Sequence, residues 1–238
     1  WFDSGAMPYA QNHYPFENKE VFENAFPADF ISEGLDQTRG WFYTLTVIAA
    51  ALFDRPAFRN VIVNGIILAE DGNKMSKRLN NYPSPKSILD SYGADALRLY
   101  LLHSVVVKAE DLRFSDKGVE GILKQVLLPL SNVLSFYKIY ADLYKFDPKK
   151  CPQESLTYTE MDLWILSNLY SVVKKVHSGM DIYNLNAAVE PFVDFIDDLT
   201  NWYVRRSRRR FWEAEDSADR RAAFATLYEV LFVFCRVI

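Results

Sequence analysis

The sequence has few of the residues that build metal sites and disulfide frameworks. Its 238 residues include two cysteines and three histidines. Cys151 and Cys235 lie far apart and form neither a Cys-x-x-Cys pair nor a Cys/His cluster. This spacing excludes a disulfide-stapled secreted scaffold and predicts neither a structural zinc nor any other metal held by the protein. A reducing cytoplasm fits this cysteine usage.

Long hydrophobic runs are also missing. No segment approaches the roughly 20 consecutive apolar residues that a membrane-spanning helix needs. The apolar stretch 44–53 is much shorter and is typical of a buried helix. There is no signal-peptide pattern at the start of the sequence. We therefore expect a cytoplasmic protein that does not associate with a membrane.

The chain lacks an excess of positive charge. It has 27 lysines and arginines against 31 aspartates and glutamates, which gives a formal net charge of -4. A wholly basic nucleic-acid-binding surface is thus excluded, and any contact with RNA must come from local patches. Half of the residues are hydrophobic, so the chain can bury a sizeable core or divide into two modest domains.

The most informative stretch is the segment 71–78, which follows a β-branched run at 61–68. This order predicts a strand that leads into a turn at Asp-Gly-Asn and then into a cationic loop. Lys74 and Lys77 are point charges on flexible stems that can follow the charge of a polyphosphate as a bond to it breaks, and Ser76 adds a hydroxyl. The alternative is an ordinary solvated hairpin tip.

A second polar stretch lies upstream, within residues 31–42. Glu33, Asp36 and Gln37 are grouped around Gly34 at the end of a predicted strand. Carboxylates and an amide in this position suit an amine-bearing, hydroxyl-rich ligand in the open crevice of an α/β sheet. The alternative is a strand-to-helix turn whose acidic residues only cap the next helix.

Together these stretches resemble the class I aminoacyl-tRNA synthetases. Residues 74–78, Lys-Met-Ser-Lys-Arg, are similar to the Lys-Met-Ser-Lys-Ser signature of that family, with Arg78 in place of serine. Residues 33–42 resemble the isoleucine-specific members, and the opening Trp-Phe-Asp-Ser-Gly at 1–5 agrees with them. The arginine run near residue 205 is more similar to the eukaryotic and archaeal branch than to the bacterial one.

This resemblance implies an activity and a set of sites. A class I synthetase of this kind joins isoleucine to ATP, releases pyrophosphate, and passes the isoleucyl group to tRNA(Ile); Mg2+ enters with ATP. The resemblance implies that Lys77, helped by Lys74, neutralises charge on the pyrophosphate, and that Trp1 and Trp41 flank the isoleucine side chain, although both would otherwise be assigned to the core. The residues that it assigns to ATP and the adenylate are Glu33, Gly34, Asp36, Gln37, Gly65, Met75 and Ser76. A monomer is expected.

The fold class predicted is α/β followed by all-α. Strands at 28–32 and 58–68 with helices at 39–53, 86–92 and 94–103 form the second half of a doubly wound, Rossmann-like nucleotide-binding fold. This catalytic domain is expected to span 1–114. Helical periodicity from 115 to 238 predicts an antiparallel helix bundle, with a kink at Pro129 and a helix end at Ser178-Gly179. The resemblance makes this bundle the anticodon-stem-binding domain.

An arginine run interleaved with aromatic residues crosses residues 201–212. Such a run suits RNA phosphates and unstacked bases. The residues predicted to contact tRNA are Trp202, Arg205, Arg206, Arg209 and Arg210. A helix laced with ion pairs to Glu213, Asp194, Asp197 and Asp198 is the alternative from the residues alone. The resemblance favours RNA.

The resemblance also implies that the chain is a fragment. The first half of the nucleotide fold, with its His-Ile-Gly-His-type signature, and the inserted editing domain are not in the sequence. The fragment alone is therefore predicted to be inactive. Two other functions stay open: another class I synthetase, such as a valine-specific one, and a non-catalytic module that binds tRNA or another RNA.

Overall fold

The computed structural model describes residues 1–76, 78–151, 156–213 and 216–238. They fold into two compact units. The first unit combines Trp1–Tyr82 with Ser104–Phe114, and the second combines Pro83–His103 with Ser115–Ile238. The domain boundaries predicted from the sequence, 1–114 and 115–238, stay a prediction.

The first unit is the α/β part of the chain, as predicted. Its elements are α1 (Phe2–Ala10), α2 (Lys19–Ala25), β1 (Ala28–Gly34), a 3-10 turn (Leu35–Arg39), α3 (Trp41–Phe53), β2 (Phe58–Asn64), β3 (Ile67–Leu68), a 3-10 turn (Val105–Lys108) and β4 (Leu112–Arg113). Strand β1 pairs in parallel with β2, and β3 pairs in parallel with β4. Apolar side chains of α1, α2, β1 and α3 form the core of the unit.

One predicted strand was wrong in its extent. The run 58–68 is divided between two sheets, because the chain changes partner at Gly65. The Gly65 amide donates to the carbonyl of Val106 at 2.8 Å. A Cβ at Gly65 would overlap the carbonyl oxygen of Glu110. Only a glycine lets the 105–111 segment approach so closely.

The second unit is helical, as predicted. Its helices are α4 (Pro85–Tyr92), α5 (Ala94–His103), α6 (Asp116–Ile122), α7 (Leu128–Tyr144), α8 (Glu160–Asp181), α9 (Leu185–Val189), α10 (Phe192–Asp197), α11 (Arg205–Trp212) and α12 (Ala218–Val237). Two π-helical segments, Leu123–Leu127 and Asp198–Val204, precede α7 and α11. The long apolar stripes of α7, α8 and α12 and the aromatic residues of α10 and α11 share one buried core.

Two details of the helices differ from the prediction. The break near Pro129 is a π-helical segment, Leu123–Leu127, which runs into α7 without leaving helical backbone conformation, so the proline lies where the helix changes from π to α hydrogen bonding. The predicted end at Ser178-Gly179 was wrong, because α8 continues to Asp181. A Cβ at Gly179 would lie 2.9 Å from the amide nitrogen of Ala188, so this glycine serves the close approach of α9 and does not end the helix.

Within the described ranges, no helix has both the length and the apolar character needed to cross a membrane.

Candidate functional site

The acidic turn lies where β1 ends. Glu33 and Gly34 occupy the last two positions of the strand, paired with Val63 and Asn64 of β2. The side chains of Glu33 and Asp36 are exposed. A Cβ at Gly34 would lie 2.7 Å from Oδ1 of Asp36, so the absence of a side chain lets this carboxylate fold back over the strand end. The turn therefore presents two available carboxylates at the carboxyl edge of the sheet.

Gln37 has a structural task in the same turn. Its Oε1 accepts a hydrogen bond from the amide of Trp41 at 2.9 Å, and its Nε2 donates to Oδ2 of Asp36 at 3.2 Å. The amide therefore caps the start of α3 and orients a carboxylate at once. The sequence alone left open that the acidic residues of this turn only cap α3. The turn does cap α3, but the capping side chain is the glutamine and not an acidic residue. This cap also explains why α3 begins at Trp41 and not at Arg39.

The two tryptophans assigned to the amino-acid pocket converge on one turn. Trp41 donates its indole N–H to the carbonyl of Ser4 at 2.9 Å and borders an apolar cavity of about 140 Å³. Trp1 is 78% exposed, and its ring lies against Gly40, at 3.3 Å from the position that a Cβ there would take. Trp41 is thus fixed by the core of the unit, whereas Trp1 is free to contact a ligand.

The cationic loop is a tight hairpin. Leu68 and Lys74 form an antiparallel bridge, and Gly72 turns the chain with φ +83°. Oδ1 of Asp71 accepts from the amide of Asn73 at 2.9 Å, and Oδ2 accepts from its Nδ2 at 2.9 Å. These bonds from Asn73 lower the pKa of the Asp71 carboxyl. The hairpin is therefore held by its own backbone and by one carboxylate.

Two residues that the sequence reasoning missed complete the loop. Asn81 accepts from the amide of Ser76 at 2.9 Å and donates to the carbonyl of Lys74 at 3.1 Å, so it ties the two sides of the loop together. The Arg113 guanidinium lies against Gly72, with Nε 3.2 Å from the position of a Cβ. Arg113 is distant in sequence, and only the β3–β4 pairing brings it here.

Of the two lysines of the loop, the structure describes only Lys74. The side chains of Lys74 and Arg78 are exposed, and no carboxylate of the described residues lies within 4.0 Å of either. Met75 and Ser76 are half-buried. Lys77, assigned to catalysis from the sequence, lies outside the described residues. Among the described residues of the loop, Lys74 and Arg78 are therefore cations without an ion-pair partner.

The acidic turn follows the carboxyl end of β1, and the cationic hairpin follows β3, which lies shortly after β2, the parallel partner of β1. Gly34 of β1 pairs with Asn64 of β2, and Leu68, which is bridged to Lys74, follows four residues later. Four residues span at most about 14 Å of extended chain. The acidic turn and the cationic hairpin are therefore near enough to reach a single extended ligand, at the edge where open α/β sheets bind their ligands.

The arginine-rich helix α11 has one buried face and one charged face. Ser207 and Phe211 are buried, whereas the side chains of Arg205, Arg206 and Arg209 are exposed. Exposed Arg208 extends this charged face, and Trp202, with 49% of its surface exposed, lies 4.9 Å beneath the guanidinium of Arg206. We call the side chains of Trp202, Arg205, Arg206, Arg208 and Arg209 the arginine face.

The arginine face is not neutralised by ion pairs. Within the described part of the chain, no carboxylate lies within 4.0 Å of its four arginines. Asp197 and Asp198 instead accept hydrogen bonds from the side-chain amides of Asn201 and Asn168. The ion-pair alternative therefore does not account for this face.

Arg210 is the exception in the run. Its guanidinium is 13% exposed and donates to both carboxylate oxygens of Asp162 at 2.8 Å and to Asp219. Asp162 is fully buried, also accepts from the hydroxyl of Tyr203 at 2.7 Å, and closes a capping box with Thr159 at the start of α8. Arg210 thus has the ion-pair role, although it was grouped with the residues that contact tRNA.

Burial alone would raise the pKa of the Asp162 carboxyl. The hydrogen bonds from Arg210, from the backbone of Thr159 and from Tyr203 outweigh burial, so the net effect lowers this pKa. Asp162 is charged at neutral pH, and the network joins α8, α11 and α12 through one buried ion pair.

No group of three or more histidine, cysteine, aspartate or glutamate side chains in the described ranges is placed to hold a metal ion.

Comparison with known proteins identifies both parts of the chain. A family model described as "tRNA synthetases class I (I, L, M and V)" matches residues 1–113, and one described as "Anticodon-binding domain of tRNA ligase" matches residues 162–238. Isoleucine–tRNA ligase of Chlamydia pneumoniae is 81% identical over the whole chain, and that of Chlamydia trachomatis serovar A is 79% identical. The chain spans 23% of the length of each.

Solved structures agree in fold. Methionyl-tRNA synthetase of Mycobacterium tuberculosis in complex with methionyl-adenylate matches with a TM-score of 0.75 at 21% identity, over 96% of this chain and 45% of that one. The Agrobacterium radiobacter K84 agnB2 LeuRS-tRNA-LeuAMS complex matches with a TM-score of 0.69 at 19% identity, over 99% of this chain and 30% of that one. These likenesses confirm the predicted fold class of a partial Rossmann-like fold and a helical bundle.

Proposed function

This chain belongs to the class I tRNA synthetases, and we propose on that premise that the protein of which it is part joins isoleucine to tRNA(Ile) with ATP. The observation that supports the proposal is the short chain distance between the two regions: the acidic turn ends β1, and the cationic hairpin follows β3, which comes shortly after β2, the partner of β1. The chain covers 23% of its relatives' length, so the remainder of the site lies outside the chain. The relatives named above are from Chlamydia. The greater similarity of the arginine run to eukaryotic and archaeal members therefore stays a prediction.

The residues divide the ligand between the two regions. The isoleucine carboxylate attacks the α-phosphorus of ATP, a new P–O bond forms, and the bond to pyrophosphate breaks with its electron pair leaving on pyrophosphate. Glu33 would hold the ammonium group of the amino acid, and Gly34 with Asp36 the ribose hydroxyls. Lys74 and Lys77 would neutralise the charge that develops on the leaving group. Mg2+ would enter as part of the ATP substrate.

Other residues of the site would act by position. Gln37 orients Asp36 and would contact the nucleotide, and Met75 and Ser76 would follow ATP when the loop closes. Gly65 is needed for packing, because only a residue without a side chain leaves room for the carbonyl of Glu110. This contact fixes the point from which the hairpin starts. Trp1 and Trp41 would flank the isoleucine side chain.

The arginine face would bind the tRNA. Its cations lack carboxylate partners among the described residues, and Trp202 lies beneath Arg206 as a stacking surface. Guanidinium groups beside an aromatic ring suit phosphates and unstacked bases. Because Arg210 is buried between Asp162 and Asp219, it would hold the helix in place and not touch RNA. We further propose that the protein acts as a monomer in the cytoplasm.

The experiment that tests the activity is amino-acid-dependent exchange of pyrophosphate into ATP. The whole protein should catalyse exchange with isoleucine and discriminate against valine by only about 10–200-fold, the general limit for one missing methylene, of which isoleucine-specific synthetases are themselves the standard example. The isolated 238 residues should show no exchange. Stronger exchange with valine would assign the protein to another class I specificity, and exchange by the fragment would show that the active site had been placed wrongly.

The tRNA contact is tested on the 238-residue chain. Replacing Arg205, Arg206 and Arg209 with glutamine should weaken binding of a tRNA transcript about tenfold or more at moderate salt, and should reduce the dependence of log K on log salt by up to about 0.9 for each lost phosphate contact. Filter binding over a salt series measures both quantities.

The matched control replaces Lys174 and Lys175 of α8 with glutamine. These exposed side chains belong to the same unit but lie outside the arginine face. They should change neither quantity. Unchanged binding in the arginine variant would remove RNA contact from this face and leave it as a solvated helix surface.

A further inference from the structure

The helical unit contains a cavity of about 620 Å³. It opens in the helical unit, between the end of α7 with the residues that follow it and the start of α12. Its size falls within the roughly 300–1,000 Å³ of small-molecule sites. The residues predicted to bind ATP, isoleucine or tRNA do not line it.

One wall of the cavity is aromatic. Phe146 and Phe224 stack with their centroids 5.1 Å apart at an angle of 22°. The guanidinium of Arg220 lies 4.3 Å from the centroid of the Tyr144 ring. Phe224 and Arg220 are buried, so the half-buried rings of Tyr144 and Phe146 are the part of this wall that a ligand can reach. Aromatic rings are surfaces on which nucleobases stack.

The other side chains of the cavity give it a net positive charge. Lys145, Lys150, Arg220 and Arg221 line it together with two carboxylates. One carboxylate, Asp216, accepts bonds from both arginines, at 3.2 and 2.8 Å. The other, Asp147, is paired with Lys150 at 3.3 Å. Among the described residues of the lining, four cationic side chains therefore stand against two carboxylates.

Two donors at the cavity have no acceptor within the described ranges. Nε of Arg221 is buried and makes no hydrogen bond among the described residues. Lys145 is exposed, and no carboxylate in the described part of the chain lies within 4.0 Å of its ammonium. An anion in the cavity cannot reach this buried Nε, but it can reach the ammonium of Lys145 and the accessible part of the Arg221 side chain, which is 30% exposed.

We propose that this cavity binds a nucleotide, with its base against the aromatic wall and its phosphate at Lys145 and Arg221. The proposal goes beyond the function above, because it needs neither the adenylate chemistry nor the arginine face. The ligand can be a free mononucleotide or an unstacked nucleotide of an RNA. The hydroxyl of Tyr144 donates to the carbonyl of Trp212 at 3.2 Å, which puts the cavity beside the end of α11.

Cysteine alkylation tests the proposal without any activity assay. Cys151 lines the cavity, whereas Cys235 lies near the far end of α12, where burial raises the pKa of its thiol. AMP at about four times its dissociation constant should slow the alkylation of Cys151 by iodoacetamide about fivefold, as mass action requires. The rate at Cys235, followed by peptide mass spectrometry in the same sample, should not change.

Two probes separate the parts of the ligand. Adenosine, which lacks the phosphate, should protect Cys151 less than AMP at the same concentration. Lys145→Gln and Arg221→Gln should abolish protection by AMP. Arg221→Gln could lose protection only because the start of α12 unfolds. Lys145 is exposed, so Lys145→Gln should keep the fold and tests the cavity without that complication. Lys174→Gln, which removes the same charge from another helix, should keep full protection.

A tRNA transcript then identifies the source of the nucleotide. If a saturating concentration of the transcript protects Cys151 and Lys145→Gln loses that protection, the cavity binds a nucleotide of an RNA. Protection by AMP without protection by the transcript assigns it to a free nucleotide. If neither probe protects Cys151, or if Lys145→Gln keeps full protection, the proposal is overturned.

Discussion

Replacing Asp162 with alanine is expected to lower the free energy of unfolding of the helical unit by about 3–5 kcal/mol. Asp162 is fully buried and is the main partner of Arg210, whose guanidinium is only 13% exposed. Without the carboxylate, a buried cation keeps only Asp219, and the capping box of α8 loses its acidic member. Urea-induced unfolding, followed by circular dichroism, measures the loss.

The control removes an aspartate from the surface of the same unit. Asp90 of α4 is paired with Lys86 at 2.9 Å, but both side chains are largely exposed. Its replacement with alanine should cost no more than about 0.5 kcal/mol, as is usual for exposed pairs on one helix. Equal losses in the two variants would mean that the Asp162–Arg210 pair is no stronger than a surface pair.

The same carboxylate makes stability depend on pH. The folded state lowers the pKa of Asp162 below its unfolded value of about 3.9. Its contribution is therefore fully present above the unfolded value and is lost as the pH falls through the folded one. Asp162→Asn should lower the free energy of unfolding at neutral pH. Below the unfolded pKa, this free energy should fall less steeply with decreasing pH than in the unchanged protein. An acid limb with the same slope in both proteins would contradict this assignment.

The buried pair has a consequence for the arginine face. Arg210 and the arginine face belong to the same short helix, α11. Anchoring Arg210 to Asp162 fixes the rotation of that helix, and Ser207 and Phe211 are buried on the same side. The exposed arginines are therefore held outward by a residue that is itself buried. One arginine of the run stabilises the surface that the other four form.

Periodicity and turn chemistry predicted most of the elements. Strand β1, helices α3, α4, α5 and α12 and the change to helices after residue 114 are all visible as apolar patterns of period two or near 3.6. The end of α8 and the division of the 58–68 strand were missed for one reason. At Gly179 and Gly65 the glycine admits a distant backbone segment, and sequence shows only the glycine, not what approaches it.

The candidate site was predictable to a similar degree. Glu33, Asp36 and Lys74 were predicted as site residues because short polar motifs follow strands, and that assignment stays a prediction. Asn81 and Arg113 were not, because their roles depend on tertiary pairing that no local pattern reveals. The five arginines of the run look equivalent in sequence. Burial alone separates Arg210 from the rest, and burial depends on how α8, α11 and α12 pack together.

In the whole protein, Lys74→Ala is expected to slow isoleucine-dependent exchange of pyrophosphate into ATP by about 10²–10³-fold, the usual effect of removing one donor that stabilises charge in a transition state. The hairpin should survive, because Lys74 holds it through its backbone: the bridge to Leu68 and the carbonyl that accepts from Asn81 at 3.1 Å. Binding of tRNA to the arginine face should be unchanged. Lys19→Ala removes the same charge from α2 of the same unit, far from the loop in sequence, and should leave exchange within about twofold, as expected for a surface pair. Exchange by Lys74→Ala at the rate of Lys19→Ala would mean that the hairpin is only a solvated turn, and the activation step would then have to be assigned to other cations.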